Sequence, residues 1–281
     1  MAKKNLLAPD TLIVFILIFA TIILEISLSR LFSYLLSFHF VLIIIAFSIL
    51  GLGIGQLTYA KRHKKIEKNM LFWFALPAIS TFFSFLILLL ASKTGISSYT
   101  AFSLPAFIIL ATIPFITIGI VYAHIFEKNK NYISVIYAID LIGAAGGALA
   151  SVFLLNTFNL VSVVGITIWL LLLTVAIYAL ANRTHYSKAL GILSLVLIIA
   201  VWAEKDRFDF NIPTAKDPSK DMFRVMSNPS VLSKIIESRW SSFGKTDLVQ
   251  LTYPDSTVSK VMFIDGAAGT DVVDIDKLEK D

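Results

Sequence analysis

Long apolar runs separated by short polar connections dominate the first 203 residues of the chain. A helix needs about 20 mostly apolar residues to cross the hydrocarbon core of a bilayer, and this rule selects seven segments. The predicted transmembrane helices are Leu12–Phe32, His39–Tyr59, Leu71–Ala91, Leu104–Phe126, Ser134–Phe158, Leu160–Ala181 and Ala189–Ala203. Because the connections are short, consecutive helices are expected to be antiparallel neighbours. The predicted fold class is an all-α polytopic membrane bundle of about seven transmembrane helices, followed by a polar tail.

The hydrophobic pattern changes in that tail. Residues 204–230 are charged and contain proline, which predicts a linker with a single helical turn around Met222–Met226. Residues 231–281 alternate apolar and polar positions and predict three strands, Lys234–Trp240, Asp247–Tyr253 and Val258–Ile264, joined by turns at 241–244 and 254–257. A three-stranded sheet can barely bury a core, so we interpret the tail as an incomplete antiparallel β segment that opens a larger domain.

Composition assigns the chain to the membrane proteins and divides it at the same place. Hydrophobic residues make up 57% of the chain and charged residues only 15%. Residues 1–203 carry 13 Lys and Arg against 5 Asp and Glu, whereas residues 204–281 carry 11 against 14. The basic excess falls in short loops, where it indicates topology rather than nucleic-acid binding. With no cysteine and four scattered histidines, we predict no metal site and no cofactor site in this chain.

The loop charges predict an orientation in the cytoplasmic (inner) membrane. The run Lys61–Lys68 is the strongest charge cluster, and the other basic residues on its side are Lys3, Lys4, Lys128, Lys130, Arg183 and Lys188. The opposite side has little beyond Arg30 and Lys93. Positive loops are retained in the cytoplasm, so the N-terminus is expected inside. Seven crossings would place the tail outside and six would place it inside, and the sequence leaves its side open.

The stretch from Tyr137 to Ser151 carries the clearest intramembrane signal. Asp140 is an ionisable group in an apolar run, so it is expected to face protein or water rather than lipid. Gly143 and Gly147 follow on the same helical face and form a G-x-x-x-G spacing that permits close helix packing. Asp140 is either a buried, hydrogen-bonded structural residue or part of a proton, ion or substrate site. A single carboxyl without a relay favours the structural interpretation.

Two further polar or small-residue features lie in the first two predicted helices. Glu25 and Arg30 are five residues apart, which does not place them on one face, so Glu25 is expected to meet a partner on another helix. Arg30 is expected to extend towards the membrane interface. Gly51 and Gly55 lie inside a span with no strand before them, so they predict a close-packing face rather than a nucleotide-binding loop.

Several blocks of sequence together resemble one protein family. Residues 137–146, with Glu25–Arg30 and the helix end Gly51–Gln56, resemble the membrane region of bacterial membrane-anchored spermidine-synthase-like proteins. In the tail, residues 237–249 around Trp240 and residues 264–270 around Asp265 and Gly266 are similar to the strands that lead into their aminopropyltransferase-like domain. The resemblance therefore touches most of the chain.

The resemblance implies a transferase, but this chain departs from the family in ways that matter for catalysis. Soluble spermidine synthases have a glutamine after the Asp-Gly pair, where this chain has Gly269. The family continues with a methyltransferase-like Rossmann domain that carries the nucleotide loop and the catalytic aspartate, and this domain is not in the sequence. No catalytic or cofactor-binding residue is therefore carried over. The expected partners are the lipid bilayer, a Rossmann-type catalytic domain downstream or on a separate chain, and a second copy of this chain.

Two other functions remain open from sequence. The intramembrane carboxylates Asp140 and Glu25, with prolines inside several spans, would suit a small polytopic transporter or membrane sensor. No inverted repeat or pair of broken helices supports transport. A purely structural anchor is the third possibility. The favoured hypothesis is the membrane-embedded N-terminal portion of a spermidine-synthase-like protein, which anchors or regulates a catalytic domain absent from this chain.

Overall fold

The computed structural model describes residues 7–36, 40–93, 103–203 and 220–272. The helices are α1 (Leu7–Leu35), α2 (Phe40–Glu67), α3 (Met70–Lys93), α4 (Ser103–Lys128), α5 (Ile133–Thr157), α6 (Leu160–Ala181), α7 (Ser187–Ala203) and α8 (Asp221–Met226). In the described part of the chain six helices, α1 to α6, are long and apolar enough to cross a membrane, and α7 is a shorter apolar helix. The predicted polytopic helical bundle is confirmed. His39, the predicted start of the second span, lies outside the described residues.

Helix α1 forms the centre of the bundle. It packs against α2, α4, α5 and α6. Its most buried face includes Ile13, Leu17, Leu24 and Leu31, and most of its other apolar side chains are buried or half-buried. A helix that is apolar all round and covered by neighbours on most faces is the expected core of a membrane bundle.

Consecutive helices are not always neighbours, which corrects one prediction. The pairs α1–α2, α3–α4 and α6–α7 do pack together, but α2 lies mainly along α4 and α5 mainly along α1. Glycines explain both exceptions. A Cβ at Gly55 would overlap the carbonyl oxygen of Ile116 in α4, and one at Gly147 would lie 2.7 Å from the carbonyl oxygen of Phe19 in α1. These backbones approach more closely than any larger residue allows.

Helix α7 runs back along α6. Val201, near its end, contacts Gly165 near the start of α6, while Leu190, near its start, lines a surface depression with Val175 of α6. The two helices are therefore antiparallel. Helices α1 and α5 are parallel, because Gly143 meets Phe15 while Gly147 meets Phe19. The chain thus leaves α7 at the end of the bundle where α1 and α5 finish.

The tail forms a four-stranded antiparallel sheet. The strands are β1 (Leu232–Trp240), β2 (Lys245–Thr252), β3 (Val258–Ile264) and β4 (Ala268–Asp271), adjacent in chain order. The three predicted strands are present, and the helical turn predicted at Met222–Met226 is α8. Strand β4 is not among the strands predicted from sequence. One face of the sheet buries a small core with Met222, formed by Val249, Leu251, Val261 and Phe263.

The turn between β2 and β3 is stabilised by its own side chains. Asp255 Oδ1 accepts hydrogen bonds from the backbone N–H of Thr257 at 3.0 Å and from its hydroxyl at 2.6 Å. These bonds hold the pKa of the exposed Asp255 carboxyl below its ordinary value. The turn predicted at 254–257 is therefore confirmed, and its aspartate has a structural role.

Candidate functional site

The sheet is joined to the bundle at the C-terminal end of α1, through a buried lysine. Lys220 is only 3% exposed, and its ammonium donates hydrogen bonds to the carbonyl oxygens of Ser33 at 2.9 Å, Tyr34 and Asp265 at 2.7 Å. The last four carbonyls of a helix lack partners within it, and a cation there also complements the helix dipole. Lys220 therefore caps α1 and holds the β3–β4 turn against it.

Asp265 joins the same contact from the sheet side. Its carboxylate accepts a hydrogen bond from the Ser33 hydroxyl at 2.7 Å and another from the backbone N–H of Lys245 at 2.8 Å. Asp265 and Gly266 have φ angles of +50° and +70°, and the Ala267 N–H donates to the Ile264 carbonyl at 3.0 Å. Asp-Gly is the pair favoured where both central residues of a hairpin turn need positive φ. The turn geometry thus accounts for the Asp-Gly pair, and the Asp265 carboxylate also joins the turn to α1 and β2.

Tyr34 lies between two lysines at this junction. Its ring centre is 4.5 Å from Lys245 Nζ and 5.4 Å from Lys220 Nζ, and its hydroxyl accepts a hydrogen bond from Lys245 Nζ at 3.1 Å. Trp240 packs edge-on against the same ring, with centres 5.6 Å apart. The face of an aromatic ring attracts cations, most strongly where water is excluded. Tyr34 is fully buried, so it brings both lysines and Trp240 to one point.

Lys245 forms a buried ion pair with Asp247 within strand β2. Lys245 Nζ is 2.9 Å from Asp247 Oδ1, and both side chains are almost completely buried. The Ser238 hydroxyl also donates to Asp247 Oδ1. Asp247 Oδ2 is buried with no hydrogen-bond partner among residues 7–36, 40–93, 103–203 and 220–272. Removing one member of such a pair leaves a buried charge unmatched, which is strongly destabilising.

The β1–β2 turn touches two helices. Arg30 Nη1 of α1 donates to the Phe243 carbonyl at 3.2 Å, and the Ser242 N–H donates to Asn156 Oδ1 of α5 at 2.9 Å. Gly244 has a φ of +155°, and a Cβ there would lie 2.7 Å from Asp265 Oδ1. This turn is therefore fixed from three sides, by α1, by α5 and by the β3–β4 turn.

Four residues singled out by the sequence lie in or beside this junction: Arg30, Trp240, Asp265 and Gly266. Arg30 contacts the sheet instead of only extending towards the interface. The central residues Lys220 and Tyr34 are not predicted from sequence, because Lys220 lies in an apparent linker and Tyr34 lies just beyond the predicted end of the first span at Phe32. The Asp265-Gly266 pair was a signal for the missed strand β4, since Asp-Gly between two short runs is typical of a hairpin.

The α1–α5 interface contains the other predicted cluster. Gly143 and Gly147 are buried against Phe15, Ile18 and Phe19 of α1, so the predicted close approach is present. Asp140 lies one turn earlier and is half-buried. Its Oδ1 is buried without a hydrogen-bond partner in the described part of the chain. The expected hydrogen-bonded structural role is therefore not seen for that oxygen.

Glu25 and Asp140 do not form one site. Ser48 of α2 is the side chain that interacts with the Glu25 carboxyl, and it lies on another helix, as expected from the sequence. Gly143 of α5 contacts Phe15 and Ile18 of α1. Asp140 lies three residues before Gly143 on α5, and Glu25 lies seven residues after Ile18 on α1, so the two carboxyls are about ten residues apart along the helix axes. At about 1.5 Å per residue these parallel helices separate the carboxyls by roughly 15 Å. A polar path through both would have to cross the apolar contact between them.

Gly51 and Gly55 lie on the face of α2 that packs against α4. A Cβ at Gly51 would lie 2.9 Å from Phe115 Cβ, and one at Gly55 would overlap the backbone around Ile116. Gly53, on the other face, has open space around it. Gly51 and Gly55 thus form the contact with α4, whereas Gly53 lies on the lipid-facing side of α2. These glycines pack helices together and do not form a nucleotide-binding loop.

The opposite end of the bundle has a polar cluster that the sequence did not indicate. Asp10 pairs with Lys128 at 2.9 Å and accepts a hydrogen bond from Asn129 at 3.1 Å, which joins the start of α1 to the end of α4. Nearby, the Tyr59 hydroxyl contacts Glu67 at 3.1 Å and His124 Nδ1 at 3.2 Å. These contacts place the Lys61–Lys68 run at the end of the bundle away from the sheet.

Comparison with protein-family models, with curated proteins and with solved structures gives no match to this chain.

Proposed function

We propose that this chain is the membrane anchor of a spermidine-synthase-like protein, whose sheet is the first part of an anchored Rossmann-type domain. The single observation that supports anchoring is the Lys220 contact, in which one ammonium bridges the last carbonyls of α1 and the β3–β4 turn. A flexible tether would need no buried lysine. The transferase class rests on the sequence resemblance around Trp240 and Asp265-Gly266.

We further propose that the anchored domain lies outside the cytoplasm. The Lys61–Lys68 run and Lys128 lie at one end of the bundle, and the sheet lies at the other. Basic loops are retained in the cytoplasm, and this supports a position of the sheet on the opposite side. Such a domain would be separated from a cytoplasmic pool of decarboxylated S-adenosylmethionine, so its substrate is expected to differ from that of the soluble synthases.

The size of the native protein tests the anchoring proposal. An antibody against residues 234–253 should detect, in the source cells, either a species larger than 31.1 kDa by at least one domain or a 31.1 kDa chain that co-purifies with a Rossmann-type partner. A chain of 31.1 kDa that purifies alone and retains its cellular function would refute the proposal.

A transporter or sensor is the second candidate, and the unpartnered Asp140 Oδ1 is the observation that favours it. In this hypothesis the carboxyl binds a proton or a cationic solute, so Asp140→Asn should fold normally but abolish solute flux into vesicles. The matched control is Glu25→Gln, whose carboxyl already has Ser48 as a partner. Unchanged flux of polyamines and other solutes in Asp140→Asn would exclude this function.

A further inference from the structure

The β1–β2 turn exposes the side chain of Phe243 beside the lipid-facing surface of the bundle. Phe243 is 82% exposed, although its carbonyl and the preceding N–H are both held by helices. Transfer of this ring from water to an apolar environment would be favourable, in proportion to the apolar surface that is buried.

The depth of the turn follows from the helix residues that hold it. The α1 span covers 27 residues, or about 40 Å, which is about 10 Å more than the hydrocarbon core. Arg30 lies about 7 Å before the end of α1, close to the boundary between hydrocarbon and headgroups. Asn156 is the penultimate residue of α5. The turn that both residues bind therefore lies at the level of the lipid headgroups.

The direction of the turn follows from the face of α5 to which it binds. Asn156 is exposed and lies three residues after Phe153, which is 67% exposed, so the two share one face of the helix. The buried face of α5 is a different one, formed by Ile136, Gly143, Gly147, Ser151 and Leu155. The turn is thus attached at the rim of the lipid-facing surface, not above the protein interior.

We propose that the β1–β2 turn is an interfacial membrane anchor, in which Phe243 inserts into the lipid leaflet next to α5. Apolar side chains such as Phe are buried at the boundary between headgroups and acyl chains in interfacial segments, while the polar backbone stays among the headgroups. Arg30 and Asn156 satisfy that backbone, which leaves the ring as the group presented to lipid. The partner of this surface is the bilayer itself.

The absence of cysteine allows a direct test with single-cysteine variants of the full chain in vesicles. An environment-sensitive fluorophore is attached at Phe243→Cys and, as the matched control, at Leu232→Cys. Leu232 is 77% exposed on the same sheet but lies roughly 26 Å further along β1. The quenchers are phosphatidylcholine with a nitroxide on its upper acyl chain and aqueous iodide.

Insertion predicts several-fold stronger quenching by the nitroxide lipid at position 243 than at 232, and the reverse order with iodide. Equal quenching at both positions, or stronger iodide quenching at 243, would overturn the proposal. Ser242→Cys provides a second labelled position in the same turn, because its backbone contact with Asn156 does not involve the Ser242 side chain. The two labelled turn positions must agree for the proposal to stand.

Discussion

At the scale of single residues, the contact between bundle and sheet depends on buried charges that are matched by fixed dipoles. The Lys220 ammonium donates hydrogen bonds to three backbone carbonyls, and two of these carbonyls belong to the last turn of α1. Charge-assisted hydrogen bonds of this kind are stronger than neutral ones, and a buried cation without them would be strongly unfavourable. The Lys220 ammonium is therefore one of the groups that determine the position of the sheet on the bundle.

Replacing Lys220 with methionine tests this role. The side chain keeps most of its apolar stem, but the carbonyls of Ser33, Tyr34 and Asp265 lose a charged donor. We expect the sheet to open from the bundle more easily by about 2–4 kcal/mol. Native-state hydrogen exchange of the β2 amides would measure this free energy. The same change at the exposed Lys234 should have little effect, and equal effects at both sites would contradict the role of Lys220.

At the scale of helices, glycine positions determine which helices become neighbours. The hydrophobic pattern identifies each span but contains no information about its partner, because all the spans are apolar on most faces. Glycines supply that information, since two backbones can approach closely only where no Cβ intervenes. For this reason α5 packs along α1 and not along the helix that follows it in the chain.

Gly55 and Gly53 provide a matched pair of substitutions on α2. Alanine at Gly55 would place its Cβ against the Ile116 backbone, so we expect a loss of about 1–3 kcal/mol in bundle stability. Alanine at Gly53 meets nothing and should be neutral or stabilising by up to about 1 kcal/mol, because it favours the helix. Thermal unfolding in detergent micelles compares the two. A Gly55→Ala bundle as stable as the parent would mean that α2 and α4 are further apart.

Gly147 and Gly146 provide the same comparison at the α1–α5 interface. A Cβ at Gly147 would lie 2.7 Å from the Phe19 carbonyl oxygen, whereas one at Gly146 would make an ordinary contact at 3.5 Å with the Phe19 ring. Gly147→Ala is expected to lower the melting temperature and Gly146→Ala to leave it nearly unchanged. The carbonyl cannot move without displacing α1, while a ring can rotate. The opposite order would show that Gly147 does not lie at the interface.

At the scale of the whole molecule, the path of α7 determines on which side the sheet lies. This helix returns along α6, so the sheet reaches the end of α1 opposite to Asp10 and the basic run. The sequence left two options because the last apolar segment is short. The end of α7 lies beside the start of α6.

Cysteine labelling of the cysteine-free chain tests the orientation that these contacts predict. Lys64→Cys lies in the basic run and Lys260→Cys in β3, and both positions are exposed. On intact cells, a membrane-impermeant maleimide should label position 260 and should label position 64 only after permeabilisation. Labelling of both positions from the same side would show that α7 does not complete a crossing.

The sequence by itself determined the helical spans, the three main strands and the split between membrane bundle and polar tail. These features depend on local periodicity, which a linear pattern records directly. It also identified Arg30, Trp240, Asp265 and Gly266, though not that they lie at or beside one junction. The turns could be predicted because their backbone conformation depends mainly on the residues within the turn.

Only the tertiary structure decided the helix partners, the docking of the sheet and the central position of Lys220 and Tyr34. Lys220 and Tyr34 are 186 residues apart in sequence. Contacts over such separations depend on how several helices pack together, and no local pattern encodes them. The same holds for Phe243, since its exposure beside the lipid-facing surface of α5 follows from where Arg30 and Asn156 hold its turn.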